Sequence, residues 1–101
     1  MKKFDQVKER RLKTLEQYVP IVARVHGPSH PEFYDVHRVF NEMKAKMDKA
    51  AGIEKPELES VFEELRKITS DYTVPDDVCE SYEAVYDMLA ELDKAYHVLG
   101  D

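Results

Sequence analysis

Apolar residues recur along most of the chain at spacings of three and four, which is the period of an α-helix with one buried face. The pattern falls into four segments, and we predict helices near residues 3–26, 30–51, 56–70 and 75–99. No segment alternates between apolar and polar residues in the way that a half-buried strand does. The pattern therefore predicts an all-α protein.

Breaks in the pattern coincide with residues that start and stop helices. The run His26 to Ser29 ends the first helix, and Ser29 with Glu32 forms a capping box for the second. Pro56 and Pro75 are placed to open the third and fourth helices. Pro20 lies inside the first helix and removes one backbone hydrogen bond, so we expect that helix to be kinked or broken near it.

The three joints are short, and short joints make consecutive helices antiparallel. We therefore predict a single domain over residues 1–101, an up-down-up-down four-helix bundle. The residues expected to be most deeply buried are aromatic or aliphatic and lie on the apolar faces of helices two to four: Phe33, Phe40, Phe62, Leu65, Leu89 and Leu92. On the first helix the apolar face extends to Val25. On the fourth it includes Cys79, expected to be an unreactive core thiol, and a tyrosine stripe (Tyr82, Tyr86 and Tyr96) whose hydroxyls are expected to reach the surface.

Charge is distributed unevenly along a chain whose net charge is −6. Positions 1–53 carry 11 basic and 7 acidic residues, whereas positions 54–101 carry 4 basic and 14 acidic residues. The simplest interpretation is that the basic first half packs against the acidic second half. A patch that binds a partner is the alternative.

Several functional classes are disfavoured by composition. The basic residues lack the aromatic or hydrogen-bonding readers of a nucleic-acid site, so we expect no nucleic-acid partner. No apolar run approaches the ~20 residues that span a bilayer, so we expect no membrane association. With one cysteine and no apolar leader at the N-terminus, the sequence is typical of a cytoplasmic protein. No nucleophile–base pair or phosphate loop is recognisable, and we expect no catalytic residues.

Two stretches carry a resemblance to a known family. Residues 22–27 (VARVHG) and 30–33 (HPEF) are similar to the turn between the first two helices of the hemerythrin-like domain in the iron-sulfur cluster repair (di-iron) proteins. The LRKIT, YTVP and C-x-x-Y-x-A-x-Y segments between Leu65 and Tyr86 resemble the later part of the same domain. The resemblance covers roughly two thirds of the chain in the right order, and it implies the same four-helix bundle.

The family's iron ligands are mostly missing from the matched positions. The resemblance implies histidines and H-x-x-x-E pairs converging from all four helices on two irons. In this sequence Asp5, Ala50, Glu54, Lys55 and Leu99 stand at or near those places, and only the two carboxylates are donors. The resemblance therefore supports the fold and argues against a di-iron centre, and we expect no cofactor.

The four histidines offer little to a metal. His26 and His30 flank a turn that contains Gly27 and Pro28, and we predict that they hold the first joint and bind no metal. His37 falls on the apolar face of helix two and is expected in the core. His97 is expected at the same end as Asp5 and Glu54, and this trio is the one plausible remnant of a weak divalent-ion site.

These observations lead to one hypothesis and two alternatives. The first is a non-catalytic hemerythrin-like bundle that has lost the di-iron centre and binds another protein or itself. The second is a metal-binding protein related to iron-sulfur cluster repair, with a rebuilt weak site at Asp5, Glu54 and His97. The third is di-iron chemistry completed by ligands from a partner chain.

Overall fold

The computed structural model of the protein describes residues 2–50 and 56–98. Over these residues the chain forms four α-helices, which are α1 (Lys2–His26), α2 (Glu32–Ala50), α3 (Glu59–Thr69) and α4 (Glu80–Tyr96). The two described segments contain no strand. The all-α prediction is therefore confirmed. No helix in these segments is both long enough and apolar enough to cross a membrane.

Contacts at both ends of α1 show that α1 and α4 are antiparallel. At the start of α1, the Phe4 ring lies 5.5 Å from the ring of Tyr96 at the end of α4. At the end of α1, the His26 ring lies 5.5 Å from the ring of Tyr82 near the start of α4. α1 also packs against α2.

The remaining helix pairs are antiparallel as well. Between α2 and α3, Arg38 pairs with Glu64 at 2.9 Å, and farther along α2 Lys46 lies 3.5 Å from Ser60. Between α3 and α4, the Phe62 ring lies 5.4 Å from Tyr96, at the opposite end of α4 from its first turn. The helices thus close into the predicted up-down-up-down four-helix bundle, which measures 39 × 22 × 22 Å.

The core lies where the apolar spacing predicted it. The six side chains singled out on α2, α3 and α4 are each at most 1% exposed. Val25 is the exception to the predicted face of α1, because it is 61% exposed. It follows the buried pair Val22 and Ala23 by less than a helical turn, so the rotation of the helix carries it past the core and into solvent.

Pro20 does not interrupt α1, which is continuous from Lys2 to His26. The predicted break is therefore absent. Pro20 is exposed, so the carbonyl that its missing N–H would have bonded lies on the solvent side of the helix, where water can satisfy it.

Two helices begin later than predicted, for reasons that involve distant residues. α3 begins at Glu59 instead of Pro56 because the Tyr96 hydroxyl accepts a hydrogen bond from the Leu58 N–H and donates one to the Pro56 carbonyl. α4 begins at Glu80 instead of Pro75, after Cys79 takes an extended conformation with φ −83° and ψ 171°. Tertiary contacts to both segments replace the helical turns that the prolines suggested.

The joint between α1 and α2 is a tight turn with a close approach at Gly27. Gly27 is buried under the Tyr34 ring, and a Cβ at this position would collide with that ring and with the Ala23 carbonyl. The His30 amide bonds back to the His26 carbonyl at 2.8 Å. α2 therefore begins at Glu32 itself, and the predicted capping box, which needs Glu32 in the third helical position, is not the arrangement found.

Ion pairs join the basic and acidic halves. Arg10 and Arg11 on α1 both bond to Glu91 on α4, at 3.0 and 2.8 Å. These bonds, chiefly that from Arg11, lower the pKa of the Glu91 carboxyl. Together with Arg38 and Glu64 they agree with the interpretation that the first half packs against the second.

Candidate functional site

A charged side chain is buried between α3 and α4. Asp93 is only 7% exposed. Its Oδ2 accepts a hydrogen bond from Arg66 Nε at 3.0 Å and another from the Tyr72 hydroxyl at 2.8 Å. A buried carboxylate needs such partners, because removing its charge from water is otherwise strongly unfavourable.

His97 completes this cluster from the end of α4. Its Nδ1 lies 2.7 Å from the main-chain carbonyl of Asp93 and 3.0 Å from Asp93 Oδ1, and its Nε2 lies 2.9 Å from Glu59 Oε2. Both ring nitrogens face acceptors, so the doubly protonated ring satisfies all of them. The hydrogen bond to the Asp93 carbonyl, aided by Glu59, raises the pKa of His97 despite partial burial.

The cluster lines an open depression of about 650 Å³ on the α3–α4 face. Tyr72 closes one side, and its pKa is raised by burial and by the hydrogen bond to Asp93. In the described segments, every buried side-chain nitrogen and oxygen has a hydrogen-bond partner. The polar groups here bond to one another, so the arrangement ties α3 to α4 through an ion network.

Only two members of the predicted weak metal site, Asp5 and His97, lie within the described residues. Asp5 lies exposed on α1 beside a shallow groove that also contains Lys8 and Leu12. His97 has Glu59 and Asp93 as its partners. Glu54 lies outside the described residues, so the trio remains a prediction.

The described residues include only some of the positions matched to the family's iron ligands. Over residues 2–50 and 56–98, no group of three or more histidine, cysteine or acidic side chains is arranged to hold a metal ion. Ala50, at a matched histidine position, contributes a buried methyl group. Lys55 and Leu99 lie outside the described residues.

The opposite end of the bundle holds His26 and His30. His26 Nε2 lies 3.1 Å from Cys79 Sγ, while His30 contacts Glu32 at 3.3 Å and Asp77 at 2.9 Å. The two imidazoles thus connect the α1–α2 joint to the segment before α4. That they bind no metal remains a prediction.

The expectation that Cys79 lies in the core was wrong. Its side chain is exposed and lies at the N-cap of α4, before the apolar stripe begins. The sequence placed it on a helix that started at Pro75, and the later start moves it out of the helical register. His37, expected in the core, is half-buried on α2.

The tyrosine stripe is buried as expected, but its hydroxyls do not reach the surface. Tyr82 and Tyr86 are at most 1% exposed, and their oxygens lie 3.1 Å apart inside the bundle. Burial raises the pKa of both phenols. The Tyr96 hydroxyl bonds to the backbone ahead of α3.

Sequence reasoning missed Asp93 and its partners. One signal was available, because Asp93 follows Leu92 and stands four residues after Leu89, both fully buried on α4. An acidic residue in such a stripe requires a buried partner. Arg66 and Tyr72 could not be chosen as those partners without knowing how α3 and α4 pack.

Comparisons with known proteins give one kind of relative. No protein-family profile matches the chain. No solved structure matches significantly. The chain is 22% identical, over 125 aligned positions, to the iron-sulfur cluster repair protein ScdA of Staphylococcus haemolyticus, covering 94% of this chain and 56% of that protein. It is 21% identical to the iron-sulfur cluster repair protein ScdA of Staphylococcus epidermidis, with 93% and 55% covered.

The chain therefore has a distant similarity to iron-sulfur cluster repair proteins over most of its length. It spans about half the length of these curated relatives. The similarity agrees with the family resemblance of the two motif stretches. It indicates a distant relationship to these proteins and assigns no activity to this chain.

Proposed function

We propose that the chain is a hemerythrin-like bundle that has lost the di-iron centre and works as a non-catalytic protein-interaction module, binding another protein or a second copy of itself. The observation that carries this proposal is the outer face of α1. There Ile21 is 49% exposed and Val25 is 61% exposed, one helical turn apart. Pro20, next to Ile21 in the sequence, is also exposed, and so is Pro28 in the turn that follows the helix.

An exposed aliphatic pair of this kind favours contact with another apolar surface. Single exposed apolar residues are common, but a contiguous apolar strip on a surface marks an interaction site more often. Amphipathic helices use residues spaced by one turn to pack against a groove or another helix. We name Pro20, Ile21, Val25 and Pro28 the α1 strip.

The polar clusters support a non-catalytic role. His97 is engaged by Glu59 and Asp93, and His30 is engaged by Glu32 and Asp77. Side chains that are already paired are poorly placed to bind a substrate or a metal. Within the described part of the chain, the α1 strip instead offers exposed apolar side chains for contact with a partner.

Sedimentation velocity from low to high micromolar concentration tests self-association. We expect the wild-type chain to form dimers and the Ile21→Ser/Val25→Ser double variant to remain monomeric. Val98→Ser is the matched control, because Val98 is also exposed, at 42%, but lies at the opposite end of the molecule from the strip.

A photo-crosslinking residue at position 25 tests binding to a different protein in the source cells. We expect one crosslinked partner that disappears when Ile21 is changed to Ser. A chain that stays monomeric at every concentration and yields no such crosslink would disprove the proposal.

The alternative is a metal-binding protein with a rebuilt weak site at Asp5, Glu54 and His97. Its support is the distant similarity to proteins named for iron-sulfur cluster repair. One nitrogen and two oxygen donors are a plausible but weak set for a divalent ion.

Elemental analysis after expression in iron-rich medium tests whether the di-iron centre has been lost. We expect no stoichiometric iron pair in the purified protein. Calorimetric titration with ferrous iron then tests the weak site, using His97→Gln and, as the control, His37→Gln. An iron pair in each chain with an oxo-bridge absorption band would reject the first proposal, and weak binding lost only in His97→Gln would favour the second.

A further inference from the structure

The thiol of Cys79 and the imidazole of His26 form a contact between residues 53 positions apart. His26 Nε2 lies 3.1 Å from Cys79 Sγ. His26 belongs to the last turn of α1, and Cys79 is the N-cap of α4. A thiol within hydrogen-bonding distance of a base is the basic arrangement of an activated cysteine nucleophile.

The sulfur has solvent access and no competing partner in the helix it precedes. Cys79 is exposed, and its side chain makes no cap hydrogen bond to α4. The His26 ring is only half-buried, and it is held edge-on against the buried Tyr82 ring at a centroid distance of 5.5 Å. The base is therefore fixed in place while the sulfur remains open to a reactant.

The two residues lie at helix ends of opposite polarity. The C-terminal end of a helix favours a cation, and the N-terminal end favours an anion. His26 occupies the first kind of end and Cys79 the second.

The charged groups around the sulfur are mainly acidic. Asp76, Asp77 and Glu80 are exposed within three residues of Cys79. From the α1–α2 joint, His30 faces this segment and pairs with Asp77. His26 also contacts the ring of Tyr82, which carries no charge. A reactant that approaches Cys79 therefore meets a negative field, which favours a cation over an anion.

We propose that Cys79 is a covalent modification site that exchanges with small neutral or cationic disulfides, with His26 as the proton acceptor. The sulfur attacks one sulfur of the disulfide, so a new S–S bond forms as the original one breaks. The thiol proton passes to His26 Nε2 and then to the departing thiolate. The small disulfide supplies the oxidising equivalents, and one small thiol leaves for each mixed disulfide formed.

Intact-mass kinetics on the full chain near neutral pH test this inference. The probes are cystamine, which is cationic, bis(2-hydroxyethyl) disulfide, which is neutral, and glutathione disulfide, which is anionic. We expect the rate of mixed-disulfide formation to fall in that order. At high salt we expect the three rates to become more similar, because screening weakens the field of the acidic residues. Equal rates for the three probes, or the reverse order, would reject the stated specificity.

His26→Phe removes the proton acceptor and keeps an aromatic ring against Tyr82. We expect it to lower the rate with the neutral disulfide about tenfold, since an unassisted thiol is mostly protonated near neutral pH. His30→Phe is the matched control. His30 also contacts Tyr82 edge-on, with the ring centres 5.6 Å apart, but its nitrogens bond to carboxylates instead of the sulfur. An equal loss in both variants, or no loss in His26→Phe, would overturn the role of His26.

A measurement without variants keeps the test independent of their folding. The wild-type thiol is compared in the native chain and in the same chain unfolded in urea, at the same pH. We expect the native thiol to react faster with the neutral disulfide. A native rate equal to or below the unfolded rate would refute the proposal, whatever the variants show.

Discussion

Tyr72 donates a hydrogen bond from its hydroxyl to Oδ2 of Asp93 across 2.8 Å, joining the segment after α3 to α4. It reaches this place through a run of left-handed backbone at Ser70, Asp71 and Tyr72, with φ of 52°, 59° and 61°. Residues other than glycine seldom adopt this conformation, since Cβ crowds the backbone. The local strain is therefore compensated by contacts such as that between Tyr72 and Asp93.

Removing the Tyr72 hydroxyl should destabilise the bundle. Tyr72→Phe keeps the ring and leaves the buried Asp93 carboxylate with one fewer donor. We expect a loss of about 1.5–3 kcal/mol in the free energy of unfolding, typical of a hydrogen bond to a charged group. Urea denaturation measures it. Tyr34→Phe, at a half-exposed ring, is the control and should change stability by less than about 0.5 kcal/mol. Equal effects would mean that the Asp93 contact contributes nothing.

Relieving the strained backbone should stabilise the protein. Ser70→Gly removes Cβ at a left-handed position that follows the last turn of α3. We expect a gain of about 0.5–1 kcal/mol, since the relief exceeds the extra entropy of glycine in the unfolded chain. Ser70→Ala keeps Cβ and should give no gain. The prediction fails if alanine stabilises as much as glycine in the same urea titration.

Truncating the core should be costly. The Phe33 ring is fully buried and packs against Tyr82 at 4.9 Å and Tyr86 at 6.2 Å. Phe33→Ala should lower the free energy of unfolding by about 3–5 kcal/mol, through lost burial and the cavity left behind. Val98→Ala, at an exposed site, serves as the control. A loss below about 1 kcal/mol for Phe33→Ala would contradict the packing described for this face.

Stability should depend on pH through His97. Its pKa is raised in the folded state, chiefly by the hydrogen bond to the Asp93 carbonyl. The contribution is fully present below the unfolded value of about 6.5 and is lost as pH rises through the folded pKa. The ring is partly exposed, so solvent screening keeps the effect below about 1 kcal/mol.

Urea titrations of the wild type and His97→Gln across that pH range measure this contribution. The stability difference between the two proteins should be largest at the acidic end and should shrink as pH rises. Parallel stability curves would show that His97 titrates without coupling to folding.

Helix content and core were accessible from sequence because both follow from local periodicity. The stripes containing Phe33, Phe62 and Leu89 have a period that only a helix with one buried face satisfies. Short joints then left an antiparallel bundle as the outcome. The bounds of α1 and α2 agree with prediction to within two residues. For these helices the local signals and the tertiary contacts agree.

Local sequence signals predicted the wrong helix start where a side chain from a distant part of the chain bonds to the backbone. Proline signals placed the start of α3 at Pro56, but the Tyr96 hydroxyl engages both Pro56 and Leu58. The start of α4 shifted in the same way, and Cys79 changed from an expected core residue to an exposed neighbour of His26. The partners of Tyr96 and His26 could not be identified from the sequence, because they are distant along the chain and meet only in the folded bundle.

The sequence by itself determined the helical class, the bundle topology and the residues of the core, because apolar burial depends on spacing along one helix. Only the tertiary structure decided which polar groups meet. Asp93 acquires Arg66, Tyr72 and His97 as partners through the packing of α3 on α4. Hydrogen bonds and ion pairs act over a few ångströms and depend on direction, so a small rotation or shift of a helix changes every partner while leaving the hydrophobic pattern intact.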